Sequence, residues 1–208
     1  MISILIADDH AIVREGLKQI LSGLPDFKVS AEAASGYETL QKLEEMPIDL
    51  VILDINLGDQ NGLEVLKQIR QKWATLPVLI LTMHSEKQYA TRMLKAGASG
   101  FLNKGSASEE LVNALRKIAR GGKYITESLA EQLVMEMGQS TAVPHERLSD
   151  REFEIFRQIA IGKKNKEIAE ELYLSEKTVS TYQSRILEKM NLANRSAIIH
   201  YALENSLI

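Results

Sequence analysis

Cysteine is absent from the 208-residue chain, which excludes disulfide frameworks, thiolate nucleophiles and cysteine-bound zinc. Positive charge is in short supply. The 25 Lys and Arg face 28 Asp and Glu, a formal net charge of −3, so attraction to a polyanion has to come from local clusters such as Lys163, Lys164 and Lys166. The halves do not differ usefully, with 15 acids against 15 bases through residue 126 and 13 against 10 after it. Long apolar runs are missing too: none approaches the roughly 18 residues that a membrane helix needs. The N-terminal Met1 to Ile6 meets Asp8 and Asp9 at once, with no basic leader or cleavage pattern, which is unlike a signal peptide. A cytoplasmic location and no membrane partner are expected. There is no internal repeat or low-complexity tract. What remains, 45% hydrophobic and 25% charged, is the composition of ordinary folded domains, and the length suffices for one large or two small ones.

Residues 1–120 alternate short apolar runs with amphipathic stretches. The runs Ile2–Ala7, Phe27–Ala31, Leu50–Leu53, Val78–Leu81 and Gly100–Leu102 are rich in Ile, Val and Leu, as strands covered on both faces should be. Helical spacing separates them, for example at Leu63, Leu66 and Ile69 or at Leu111, Leu115 and Ile118. The pattern predicts an α/β fold, a five-stranded parallel doubly wound sheet. Right-handed crossovers bring all five strand C-termini to one rim, where such sheets bind ligands. Residues 121–145 break the rhythm at Gly121-Gly122 and over Gly138–Pro144. They read as a linker, with a helix over Glu127–Met137. From Leu148 only helical patterns occur. Ser149 and Glu152 form a capping box, and four helices are expected: to about Ile161, over Asn165–Leu172, over Glu176–Met190 and over Asn194–Glu204.

Polar residues cluster at the expected rim: Asp8 and Asp9 after the first strand, Asp54 after the third, Thr82 after the fourth and Lys104 after the fifth. Singly, each aspartate or threonine reads as a helix cap and the lysine as a solvated charge. Together, three crowded carboxylates call for a cation. Mg²⁺ suits best, because it binds through a few carboxylates plus water and phosphate oxygens. A hydroxyl and an ammonium beside a Mg²⁺-bound carboxylate can neutralise a phosphoryl group in transfer to that carboxylate, giving an aspartyl phosphate.

In order and spacing, Asp8-Asp9, Asp54, Thr82 and Lys104 resemble the signature of response-regulator receiver domains, over residues 1–120 (flavodoxin-like fold). The resemblance implies that Asp54 is the phosphoacceptor. Asp9 and Asp54 then hold Mg²⁺, with Asp8 acting partly through water and the Asn56 carbonyl joining them, while Lys104 binds the phosphoryl group and Thr82 senses it. The family's aromatic switch position falls on Phe101, where many relatives carry Tyr; no phenolic hydroxyl is available here. Gly105 follows Lys104, where many receivers have proline. Asn56 and His84 fall where receivers tune the lifetime of the phosphoryl group.

In the C-terminal region a short helix containing Lys166 precedes Glu176–Met190 across a brief turn, the layout of a helix-turn-helix. Val179, Ile186, Leu187 and Met190 can face inward. Lys177, Ser180, Thr181 and Ser184 share a small polar stripe that fits a major groove; the same stripe also suits a solvated face. The run from Leu148 to Met190 resembles the LuxR-type helix-turn-helix, an all-α four-helix domain over residues 146–208. Ser180, Thr181, Ser184 and Arg185 are the candidates for base edges. Lys166, Lys177, Thr178, Tyr182 and Lys189 are those for the DNA backbone. Tyr182, Ser180 and Ser184 depart from the His and basic residues common in relatives, so base preference does not carry over.

Together the halves are similar to the NarL/FixJ family. The resemblance implies a two-component response regulator, phosphorylated on Asp54 by a sensor histidine kinase and regulating transcription through DNA. It would not be an enzyme beyond its own phosphotransfer and autodephosphorylation. Few cations per copy favour a homodimer on two half-sites, and the last helix, with Ile198, Tyr201 and Ala202, offers either a surface for it, as in relatives, or part of the domain's own core. The alternatives are a phosphorylation-independent regulator or adaptor, and an aspartyl-phosphate phosphatase, which Asp54-Ile55-Asn56 disfavours for want of a second acid.

Overall fold

The apolar runs become strands because each carries side chains that two layers of helix can cover. In a computed structural model, which describes residues 1–58, 60–83, 86–106, 108–127, 129–131, 144–205 and 207–208, with 86–88 as backbone only, the chain divides into two compact units, Met1–Leu133 and Val134–Ile208.

The first unit holds β1 (Ile2–Ala7), β2 (Phe27–Ala33), β3 (Leu50–Leu53), β4 (Val78–Thr82) and β5 (Gly100–Asn103), all parallel, in the order β2-β1-β3-β4-β5. Between and after them run α1 (Ala11–Ser22), α2 (Gly36–Glu45), α3 (Gly62–Lys72), α4 (Glu86–Lys95) and α5 (Ser108–Ala119). Three strands outlast the expected ends because neighbours continue the ladder: Ala7 pairs with Ala33, and Thr82 with Asn103. Thr82 is thus the last residue of β4 rather than the first beyond it.

Strand alternation sorts the core. Ile4, Ile6, Leu50, Ile52, Leu79, Leu81 and Leu102 pack with Leu17 and Leu21 of α1 and with Leu111, Leu115 and Ile118 of α5. The alternate residues Leu5, Val51, Leu53, Ile80 and Phe101 are equally buried and point to the opposite face. After α5 the chain returns to the sheet. The Tyr124 N–H donates to the Ser99 carbonyl (2.9 Å) and the Phe101 N–H to the Tyr124 carbonyl (3.3 Å), so the expected linker begins as a cover on the edge of β5. Most of the helix expected over Glu127–Met137 lies outside the described residues.

The second unit opens with a 3₁₀ turn (Pro144–Arg147), followed by α6 (Asp150–Ala160), α7 (Asn165–Glu171), α8 (Glu176–Met190) and α9 (Arg195–Glu204). Ser149 and Glu152 form the expected capping box. Phe153, Phe156, Ile168, Val179, Ile186 and Met190 are buried at its centre, while Leu187 is half-buried. Ile198 and Ala202 are fully buried there as well, and the Tyr201 hydroxyl meets His145 Nδ1 at 2.9 Å. Of the two expectations for these residues, Ile198 and Ala202 serve the domain's own core rather than a dimer surface, while Tyr201 is half-buried. Among the described residues no helix is long and apolar enough to cross a membrane.

One glycine sets how closely α3 can approach the end of β3. A Cβ on Gly62, at the start of α3, would lie 2.2 Å from the Asp54 carbonyl oxygen and 2.8 Å from Ile55 Cα. Only glycine lets α3 begin against the backbone that carries Asp54. Gly62→Ala is expected to destabilise the chain by about 1–3 kcal/mol, read from urea denaturation of the full chain; an unchanged midpoint would contradict this close approach.

Candidate functional site

Adjacent strands β1, β3, β4 and β5 end side by side, and of the polar residues at their ends Asp8, Asp54 and Lys104 meet. The Asp54 N–H donates to the Ala7 carbonyl (2.9 Å) and the Lys104 N–H to the Thr82 carbonyl (2.8 Å), so each site residue sits within one step of a ladder bond. Asp8, Asp54 and Thr82 are 2%, 4% and 1% exposed. Lys104 Nζ bridges the two carboxylates, 2.6 Å from Asp8 Oδ2 and 2.7 Å from Asp54 Oδ2. Main-chain donors fix the remaining oxygens, Ile55 N–H on Asp54 Oδ1 (2.7 Å) and His10 N–H on Asp8 Oδ1 (2.9 Å).

Burial raises the Asp54 pKa, and the Asp8 charge adds to that, while Lys104 opposes it without prevailing. Burial would lower the Lys104 pKa, but hydrogen bonds to both carboxylates outweigh it and the ammonium is favoured. The pocket is a buried anion pair under one cation, short of positive charge.

Asp9 is more exposed, and its Oδ1 lies 2.6 Å from His10 Nδ1. Ligand atoms of Asp8, Asp9, His10 and Asp54 all lie within 4.8 Å of one another, and the three carboxylates among them, rather than the imidazole, suit Mg²⁺. His10 is an addition that the sequence reading missed; its signal was the Asp-Asp-His triplet between strand and helix. Asn56 is exposed in the loop after β3, bridged to Asn61. Phe101 is fully buried in the sheet core. His84 lies outside the described residues.

On the second unit, α7 and α8 are joined by a turn in which Tyr173 adopts a left-handed φ of 53°. The Ser175 side chain caps α8 by accepting from the Thr178 N–H (3.0 Å). Lys166 of α7 and Lys177, Ser180, Thr181, Ser184 and Arg185 of α8 are exposed; Thr178 and Tyr182 are half-buried. The Arg185 guanidinium lies 5.9 Å from the Tyr182 ring centre. Lys189 is exposed in part, but its ammonium is 2.6 Å from the buried Glu152 carboxylate, an internal tie that competes with a phosphate. Within the basic cluster, Lys163 is likewise paired with Glu171 (2.6 Å).

Residues 4–116 match the family model of the response regulator receiver domain, and residues 146–202 that of the bacterial regulatory proteins of the luxR family. The response regulator UvrY of Escherichia coli K12 is 34% identical, over 100% of this chain and 96% of that protein. The oxygen regulatory protein NreC of Staphylococcus carnosus is 38% identical, over 99% and 98%. Among solved structures, RcsB resembles the chain as two dimers bound to two parallel DNAs (26% identity, TM-score 0.60, 98% of each chain). It does so again, from Salmonella enterica serovar Typhimurium, bound to promoter rprA with the phosphomimetic BeF₃⁻ (26%, TM-score 0.60, 97% and 98%).

Removing the bridging cation tests the pocket's electrostatics. Lys104→Met leaves two buried carboxylates facing each other and is expected to cost about 3–5 kcal/mol at neutral pH. Asp54 already has a raised folded-state pKa, and such a group loses stability as pH rises through that pKa. The deficit should therefore shrink on acidification, when Asp54 takes up a proton, and shrink with added Mg²⁺. Thermal melts from pH 4 to 8 would show it; a deficit independent of pH and of Mg²⁺ would refute the account.

Proposed function

Since the chain belongs to the NarL/FixJ family of two-component response regulators, which regulate transcription through a LuxR-type DNA-binding domain, we propose that Asp54 is its phosphoacceptor and α8 its DNA reader. We read residues 1–120 as the receiver, 121–145 as the linker and 146–208 as the reader domain. The observation that carries the proposal is the Lys104 ammonium shared between the buried carboxylates of Asp8 and Asp54. An ammonium so placed is ready to follow charge from carboxylate to phosphoryl oxygen.

In this reading a sensor histidine kinase supplies a phosphohistidine. An Asp54 oxygen attacks phosphorus, the O–P bond forms as the N–P bond breaks, and the histidine nitrogen keeps the electron pair. Asp8, Asp9, Asp54 and the Asn56 carbonyl would hold Mg²⁺, which supplies charge neutralisation for the phosphoryl oxygens. Lys104 pairs with one of those oxygens, and the buried Thr82 hydroxyl turns toward another. Asn56 and His84 tune the lifetime of the aspartyl phosphate. The chain's chemistry stays confined to this gain and loss of its own phosphoryl group. Phe101, lacking a hydroxyl, takes part in the switch through packing alone.

Phosphorylation adds up to about two negative charges and shifts the population toward a DNA-binding homodimer. Moving such a switch from mostly off to mostly on takes about 5 kcal/mol of differential stabilisation. Ser180, Thr181, Ser184 and Arg185 meet base edges; Lys166, Lys177, Thr178 and Tyr182 meet the backbone, with Lys189 joining only by leaving Glu152. RcsB, solved as dimers on DNA, supports this part of the reading. A regulator of bacterial promoters works in the cytoplasm.

The test is phosphate incorporation from a small-molecule donor. The wild type should gain one phosphoryl group per chain in Mg²⁺. Asp54→Asn or a chelator should abolish the gain, and phosphorylation should tighten binding to a selected DNA by about 5- to 150-fold. Incorporation that survives Asp54→Asn would overturn the assignment.

A further inference from the structure

The hydroxyls on α8 are chemically alike, yet their surroundings give them opposite roles. Thr181 Oγ1 donates to the Lys177 carbonyl (2.9 Å) and Ser184 Oγ to the Ser180 carbonyl (3.1 Å). A hydroxyl has one proton, so both are committed to the helix backbone and only lone pairs face outward. Ser180 differs because its oxygen accepts from Asn165 Nδ2 (3.1 Å).

The direction of that bond is forced. Arg195 Nη1 donates to Asn165 Oδ1 (2.8 Å) and to Gln183 Oε1 (3.2 Å), and its Nη2 donates to the Lys163 carbonyl. A guanidinium has donors only, so the Asn165 oxygen must face Arg195 and its amide nitrogen must face Ser180. Ser180 Oγ donates to no carbonyl among the described residues, which leaves its proton, beside one remaining lone pair, for the exposed helix face.

We infer that Asn165, held by Arg195, makes Ser180 a hydrogen-bond donor toward the DNA major groove, while Thr181 and Ser184 present acceptors. This deepens the reading of α8 as the DNA reader and rests on it. A donor at Ser180 favours the acceptors of guanine (N7, O6), adenine (N7) or thymine (O4) over cytosine, which offers only its amino group there and can use only the one lone pair that Asn165 leaves. Acceptors at Thr181 and Ser184 suit the amino groups of cytosine or adenine. Asn165 and Arg195 are positioning residues: they set base preference through Ser180.

The experiment is selection of bound sequences from random DNA with the full, phosphorylated chain. For the wild type, one half-site position should reject cytosine on the contacted strand by about fivefold, the worth of one net hydrogen bond. Ser180→Ala should erase that preference. Asn165→Asp should invert it, because a carboxylate accepts from the Ser180 hydroxyl and turns its lone pairs outward, so that cytosine or adenine is selected. The added negative charge weakens binding to all sequences alike and leaves the relative preference readable. Thr181→Val and Ser184→Ala, both at exposed positions, should relax selection for amino-bearing bases at neighbouring positions. They keep the inference testable if Asn165→Asp fails to fold, as judged by circular dichroism. A wild-type preference retained in Asn165→Asp, or in all three hydroxyl deletions, would overturn the inference alone. If no sequence is enriched with the wild type, the reading of α8 as a sequence reader fails with it.

Discussion

Two carboxylates buried within reach of one ammonium make the constraint around which the first unit is arranged. Asp8 and Asp54 are nearly inaccessible, and neither would be tolerable as an anion without Lys104, whose Nζ touches both. Meeting that demand takes a parallel sheet: only there do β1, β3 and β5 release their next residues at one rim, although the three polar groups lie far apart in sequence. Gly62 belongs to the same requirement. It removes the side chain that would otherwise hold α3 away from the Asp54 backbone.

The arrangement is balanced in connectivity but not in charge. One cation serves two buried anions; burial above all, with the Asp8 charge adding to it, makes Asp54 hold its proton more readily than an ordinary carboxylate. That imbalance makes the pocket receptive. A divalent cation held there would relieve the repulsion between the carboxylates and would leave Lys104 free to pair with newly arrived oxygens. A pocket with matched charges would be more stable by itself and would have less to gain from ligand or phosphoryl group.

Much of this was legible in the sequence because the determinants were local or periodic. Apolar runs marked the five strands, and a polar residue stopping each run marked the rim. Ser149 and Glu152 announced α6 by their spacing alone. Contacts between separate elements were not legible. The link from Asn165 to Ser180 joins α7 to α8, and the pairing of Lys189 with Glu152 joins α8 to α6; no periodicity encodes either. In α9 the difficulty was different: Ile198, Ile199, Tyr201, Ala202 and Leu203 are apolar nearly all the way round, so no stripe says which of them faces inward. His10 escaped notice because its neighbours Asp8 and Asp9 already accounted for the turn that it occupies.

The scarcity of positive charge in the second unit becomes intelligible once its ion pairs are traced. Lys163 is paired with Glu171, Arg151 with Glu154, Lys189 with Glu152, and Arg195 is engaged by amide and carbonyl oxygens. Lys164, Lys166, Lys177 and Arg185 stay exposed. A single copy therefore has a shallow electrostatic hold on any DNA, since nonspecific affinity scales with the number of phosphates neutralised. Two copies on one duplex double the contacts and make the second engagement intramolecular. A reader that binds poorly alone responds most steeply to whatever pairs it, because the unpaired state contributes little background occupancy. Internal ion pairing thus leaves the second unit few free cations, and that same scarcity makes a second copy on the duplex the larger gain.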